Sequence, residues 1–129
     1  MKKIWINGCF DVLHRGHIEL FKYARSLGDK VIVGIDSDSR VKILKGESRP
    51  INNEMDRKFF LKSIRYVDEV VVFASEDDLV NNIKLIKPDI MIVGSDYKNK
   101  RVVGSEHAKK LIFFNRIGNY STTNILEKK

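Results

Sequence analysis

Short apolar runs rich in β-branched residues alternate along this chain with stretches whose apolar residues recur at helical spacing, and that alternation leaves few folds open. Lys3–Asn7, Lys30–Ile35, Glu69–Ala74, Asp89–Val93 and Leu111–Asn115 each read as a strand. Between the first two, Leu20, Phe21, Ala24 and Leu27 form one helical face, which Gly28-Asp29 ends. A second helix, capped by Asn52 or Asn53, takes Met55, Phe59, Phe60 and Ile64 as its apolar positions. A third opens at Ser75 with Asp78 three residues on, aligns Leu79, Val80, Ile83 and Ile86, and stops at Pro88. A short helix around Ser105–Lys110 and a last one over Ser121–Glu127 complete the pattern, while polar, basic Asp36–Pro50 reads as a long functional loop. Strands alternating with helices require a parallel sheet with right-handed crossovers. The expected fold is therefore α/β, a single Rossmann-like domain over residues 1–129 with a parallel sheet flanked by helices.

Composition excludes several classes. With 129 residues, 43% hydrophobic and 32% charged, the chain can bury a core and is no disordered tail. Its apolar runs are strand-sized, and the stretch behind the basic start Met1-Lys2-Lys3 is broken by Asn7 and Asp11, so neither a membrane span nor a signal peptide is expected. Cys9 is the single cysteine, which excludes an internal disulfide and suits the cytoplasm. The net charge of +7 admits nucleic acid, an acidic membrane surface or phosphorylated small molecules. The basic residues are scattered, not blocked, which argues against a nucleic-acid module.

One motif carries the chemistry. In Gly8-Cys9-Phe10-Asp11-Val12-Leu13-His14-Arg15-Gly16-His17, two imidazoles three residues apart stand after the first strand and at the start of the first helix. In an α/β protein that junction lies at the carboxyl edge of the sheet, where backbone N–H groups and the helix dipole favour anions. A polyphosphate is the natural guest, with the histidines as added donors. Two histidines are too few for a metal site, and no Cys or Glu stands at a useful spacing nearby.

The same stretch resembles the HxGH signature of the cytidylyltransferase-like nucleotidyltransferases, and Ser121-Thr122-Thr123-Asn124-Ile125 is similar to that family's second signature, so the resemblance covers essentially the whole chain. Lys45-Gly46-Glu47-Ser48-Arg49-Pro50 and Gly94-Ser95-Asp96-Tyr97-Lys98 resemble the adenylyltransferase branch of ADP-heptose synthesis. Arg65-Tyr66-Val67-Asp68-Glu69-Val70 resembles glycerol-3-phosphate cytidylyltransferase, but that branch usually has Gly-Asp-Asp-Trp where this chain has Gly94-Ser95-Asp96-Tyr97. The resemblance implies transfer of a nucleoside monophosphate from ATP or CTP to a phosphorylated sugar or polyol, heptose 1-phosphate before glycerol 3-phosphate, with magnesium on the triphosphate and a homodimer as the assembly. A non-catalytic nucleotide-binding protein is a third expectation, disfavoured because both histidines are intact.

Site residues follow from the same resemblance. His14 and His17 would donate to the α- and β-phosphates, and Gly8, Cys9 and Phe10 would offer backbone N–H groups, with Gly16 permitting close approach. Cys9 stands where many relatives have Thr, and a small buried residue explains it better than thiol chemistry. Asp11 orients the loop, helps place magnesium or simply caps a turn. Lys42 or Lys45 reaches the acceptor phosphate or the triphosphate. Arg57 and Arg65 match arginine positions of the family, Arg57 one that approaches substrate phosphate, and a solvated helix face explains each as well. Asp96 resembles the acid near the nucleotide, and Arg116 keeps the family spacing before Ser121. Ser121 and Thr122 form a second phosphate cradle or a plain helix cap.

Overall fold

The structure, a computed structural model, describes residues 1–115. Within them five strands, β1 (Lys3–Gly8), β2 (Lys30–Asp36), β3 (Glu69–Phe73), β4 (Ile90–Gly94) and β5 (Lys110–Phe114), pair in parallel in the order β3-β2-β1-β4-β5. Four helices connect them: α1 (Arg15–Leu27), α2 (Asp38–Lys45), α3 (Glu54–Lys62) and α4 (Glu76–Ile86). The expected α/β sheet is present, with strand limits within a residue of those read from the sequence.

Alternate residues of each strand face opposite layers, which the period of two requires. Ile4, Ile6, Val31, Val33, Ile35, Ile90 and Ile92 pack under Phe21 and Ala24 of α1 and Leu61 of α3. Trp5, Ile32, Phe73 and Met91 pack on the other face under Leu79 and Ile83 of α4 and Val102. Trp5 packs against Gly34, where an added Cβ would stand 2.5 Å from the indole ring. Its indole N–H donates to Asn7 Oδ1 at 2.9 Å.

Helix starts obey local chemistry. Ser75 Oγ accepts from Asp78 N–H at 3.1 Å, and Asp78 Oδ2 accepts from Ala74 N–H at 2.9 Å, so the expected reciprocal cap closes one residue earlier than in the usual box. Asn53, not Asn52, caps α3, accepting from Asp56 N–H at 2.9 Å.

Three expectations need correction. The stretch 36–50 is not simply a loop, because residues 38–45 form α2. Ser37 caps that helix by accepting from Arg40 N–H, and Gly46, at φ +100°, ends it by donating to the Lys42 carbonyl. Its one buried residue is Val41, so it carries no apolar stripe that a periodicity reading could find. In α3 the inner face is Arg57 and Leu61, with Met55 (74% exposed), Phe59 (69%) and Phe60 (43%) turned outward. A guanidinium with several backbone acceptors beneath it outweighs three apolar side chains in setting the helix's roll. Around Ser105 the short helix is a single 3-10 turn, Ser105–His107, entered at Gly104 with φ +83°. The helix expected over Ser121–Glu127 lies outside the described residues. Among those described, no helix is long and apolar enough to cross a membrane.

Candidate nucleotide site

The sheet opens where β1 and β4 part. These strands are in register at Ile4–Ile90 and Trp5–Met91, yet β1 runs on to Gly8 and β4 to Gly94. Chain order reverses between them, and in open parallel sheets such a switch point is where ligands bind. A cleft of about 630 Å³ occupies that edge, walled by Gly8, Asp36, Phe73, Gly94 and Phe114 from the carboxyl ends of the five strands.

Residues 9–14 lead from β1 into α1 across the floor of the cleft. Phe10 adopts φ +49°, left-handed and unusual for a bulky residue, and its ring is held against Phe21 at 5.3 Å and edge-on to His17 at 5.1 Å. The ring folds back over Gly8, where a Cβ would come within 3.2 Å of it. His14 is the N-cap of α1, and its ring stacks on that of His17 with centroids 3.8 Å apart and planes 22° from parallel. The His14 backbone N–H donates to His17 Nδ1 at 3.2 Å. That bond fixes the tautomer: Nδ1 of His17 accepts, so Nε2 carries the proton. Burial, with the neighbouring His14, lowers the His17 pKa from 6.5 to about 3, so the ring is a neutral donor at neutral pH.

Asp11 is a staple. Its carboxylate accepts from Arg49 Nε, Ile51 N–H and Asn52 N–H, each at 2.8 Å, while its carbonyl accepts from Asn52 Nδ2 at 2.7 Å. Burial raises its pKa, but the Asn52 and Ile51 amides and Arg49 outweigh that, and the carboxyl is held below its ordinary value. Of the roles open to Asp11, orienting the loop fits: both oxygens are committed to pinning residues 49–52 beneath the cleft.

Arg57 is placed away from the cleft. Its side chain is fully buried and does not line the cleft. Nε donates to the Asn52 carbonyl, Nη1 to the carbonyls of Cys9 and Asp36, and Nη2 to Asp38 Oδ1, at 2.7–3.0 Å. A fork so committed has little left for a substrate phosphate and instead ties the ends of β1 and β2 to α3. Arg65 also lies away from the cleft: it is exposed, stacks on Tyr66 with its guanidinium 5.7 Å from the ring centre, and stands just before β3, at the amino edge of the sheet. Lys42 is exposed on α2 and does not line the cleft, whereas Lys45 does.

The cleft thus gathers Gly8, Cys9, Phe10, Asp11, His14, Gly16, His17, Lys45 and Asp96. Cys9 is a thiol whose pKa is raised by burial, against the lowering effect of Arg57. Asp96 stands in the 3-10 turn after β4, its Oδ1 folded over Gly94. Arg116, Ser121 and Thr122 lie outside the described residues. Sequence reasoning passed over Arg40, Arg49 and Arg101, which also line the cleft. Arg40 Nε donates from the first turn of α2 back to Asp36 Oδ1 at the end of β2, at 2.8 Å, and Arg49 Nε donates to Asp11. Arg101, in a polar loop, carries no signal of its own.

Comparisons with known proteins bear on the fold and the family. The chain is 48% identical over 125 residues to the bifunctional protein HldE of a Nitratiruptor species, and 50% identical over 127 residues to the protein of the same name from Helicobacter pylori. Those alignments take in 97% and 98% of this chain but 27% of each relative, so the chain spans little more than a quarter of their length. A lipopolysaccharide core biosynthesis protein from Thermoplasma volcanium superposes with a TM-score of 0.75 at 26% identity, over 92% of this chain and 99% of that one. An Archaeoglobus fulgidus protein of unknown function, 16% identical, shares the fold with a TM-score of 0.65 over 94% of each chain. A family model described as cytidylyltransferase-like matches residues 5–128. With that match across nearly its whole length, the chain belongs to the cytidylyltransferase-like family of nucleotidyltransferases.

Proposed function

We propose that this chain transfers a nucleoside monophosphate from a nucleoside triphosphate to the phosphate of a sugar or polyol, and that ATP and heptose 1-phosphate are its pair. The observation that carries the reading is the stacked pair His14 and His17 at the amino end of α1, inside a cleft also lined by Arg40, Lys45, Arg49 and Arg101.

A phosphate monoester has its second pKa near ~6 and is largely dianionic at neutral pH, so it needs no general base. Its oxygen attacks the α-phosphorus as the bond to the bridging oxygen breaks, and pyrophosphate leaves with the electron pair. The site's task is to hold two polyanions together and to place donors around the phosphorus. His17 would give its Nε2–H and His14 a second ring donor, with the amides of residues 8–10 and the helix dipole beneath. Lys45 and the Nη ends of Arg49 would meet the acceptor phosphate or the triphosphate. Magnesium would arrive on the triphosphate, held by phosphate oxygens and water. Among the described residues no group of three or more His, Cys, Asp or Glu could hold a metal ion, and Asp11 is already committed.

Relatives named HldE at 48–50% identity, and the heptose-branch resemblance of residues 45–50 and 94–98, support the sugar-phosphate acceptor. The name of the Thermoplasma structure points the same way. The stretch resembling the glycerol-phosphate branch serves folding at the opposite edge: Asp68 accepts from Val31 N–H and from Arg25. A homodimer belongs to the same reading, supported by the outward Ile51, Met55 and Phe59.

The test is pyrophosphate release from ATP, CTP, GTP and UTP, each against heptose 1-phosphate and glycerol 3-phosphate. ATP with the heptose phosphate is expected to react fastest, and His14→Ala and His17→Ala to lose about 10²–10³ in rate while folding normally. CTP with glycerol 3-phosphate as the preferred pair would reassign the branch. Undiminished rates in either histidine variant would remove the mechanism.

A further inference from the structure

Resting on the transferase reading, we propose that Asp36 reads the hydroxyl groups of the acceptor and that Arg40 is its positioning residue. A cleft built for phosphates gains nothing from a carboxylate, which repels them, unless that carboxylate meets something other than phosphate. Among the described residues, three carboxylates line this cleft. Both oxygens of Asp11 are bonded within the protein, and Asp96 stands beyond β4. Asp36 ends β2, the neighbour of β1, and its side chain is 12% exposed. Neighbouring strands run about 4.8 Å apart. Asp36 is therefore about one strand's width to the side of the Gly8–Phe10 turn where the reacting phosphorus would lie.

Its Oδ1 accepts from Arg40 Nε at 2.8 Å, and among the described residues no hydrogen bond or ion pair reaches its Oδ2. Arg40 is in turn constrained, its guanidinium 5.9 Å from the centre of the Phe73 ring and its stem rising from α2 just after the Ser37 cap. With one oxygen held by Arg40 and the residue lining the cleft, the carboxylate can offer its other oxygen as a fixed acceptor for a hydroxyl donor. The neighbouring guanidinium offsets the negative charge that would otherwise oppose an incoming phosphate. An acceptor whose phosphate lies at the turn and whose carbon chain runs across β2 would bring its hydroxyls to this oxygen.

The experiment compares glycerol 3-phosphate, heptose 1-phosphate and propyl phosphate, the last a monoester with no hydroxyl group. Wild type, Asp36→Asn and Arg40→Gln are measured for kcat, for the KM of acceptor and nucleotide, and for acceptor affinity by calorimetry. Asp36→Asn is expected to raise the KM of the hydroxylated acceptors about 10- to 100-fold, as loss of a charge-assisted bond does, with the nucleotide KM within about twofold. It should also erase most of the preference over propyl phosphate. Arg40→Gln should move the same quantities in the same direction by a smaller factor, which a merely structural role would not do selectively. A raised nucleotide KM with an unchanged acceptor KM would place Asp36 on the ribose and overturn the assignment, as would an unchanged preference for hydroxylated acceptors. If wild type turns over none of these phosphates, the transferase reading falls, and calorimetry still decides: equal acceptor affinity in wild type and Asp36→Asn overturns the proposal.

Discussion

For individual residues, the site depends on fixing which atoms carry protons. His17 is the clearest case, because one backbone N–H and its own burial leave it neutral with Nε2 as its donor. A cost comes with that arrangement. The folded pKa of about 3 lies below the ordinary 6.5, so between those values the unfolded chain binds the extra proton and the folded one does not. Stability of the unliganded protein should therefore fall as pH drops through this window. The His17 contribution is up to roughly 2 kcal/mol between pH 7 and pH 5. Urea titrations at pH 7, 6 and 5 should show the decline in wild type and a flatter profile in His17→Gln. Equal slopes would mean that the ring titrates normally in the fold. Asp11 acts in the same sense at lower pH: its folded pKa is also lowered, so the stability it contributes at neutral pH is lost as pH falls through its ordinary value of 3.8, below the pH 5–7 range of these titrations.

Among the elements, the strands were legible because each carries its own signal, and α1 and α4 because their buried faces repeat at helical spacing. Helix α2 was not, and α3 was legible as a capped helix but not in which face it buries, for different reasons. Helix α2 is held by its caps at Ser37 and Gly46 with one buried side chain, so the information lay in its ends. Helix α3 carries a convincing apolar face that points outward, because its roll is set by Arg57, and a charged residue counts in a periodicity reading as surface. Packing between elements is tight where Trp5 crosses Gly34. Gly34→Ala would drive a methyl to 2.5 Å from the indole, and overpacking of this kind costs about 1–3 kcal/mol. Since Trp5 is the single tryptophan, its fluorescence and the urea midpoint should shift together. An unchanged midpoint would show that the ring retreats freely.

Across the molecule, Arg57 is the joint between sheet and site. It bonds the carbonyls of Cys9, Asp36 and Asn52 and the carboxylate of Asp38, spanning the exits of β1 and β2 and the entrance of α3. Arg57→Leu would strand those buried acceptors and leave Asp38 without its cation, a class of change that costs about 3–5 kcal/mol. Arg57→Lys should recover little, since an ammonium cannot reproduce the planar fork. Thermal melting and substrate affinity would be expected to fall together in both variants. Intact stability with lost acceptor affinity would restore Arg57 to the substrate's side of the wall.

The order of residues along the chain was enough to specify the kind of protein: an alternating parallel sheet, the turn after the first strand, and the two histidines at the first helix. Those features are local, written in residues near one another along the chain. Which cations line the cleft was decided by folding alone. Arg40, Arg49 and Lys45 line the cleft while Arg57, Arg65 and Lys42 do not. In sequence all six are basic residues in polar stretches. Their fates separate only when distant backbone carbonyls and carboxylates come within hydrogen-bonding reach, and that proximity exists in the folded chain alone.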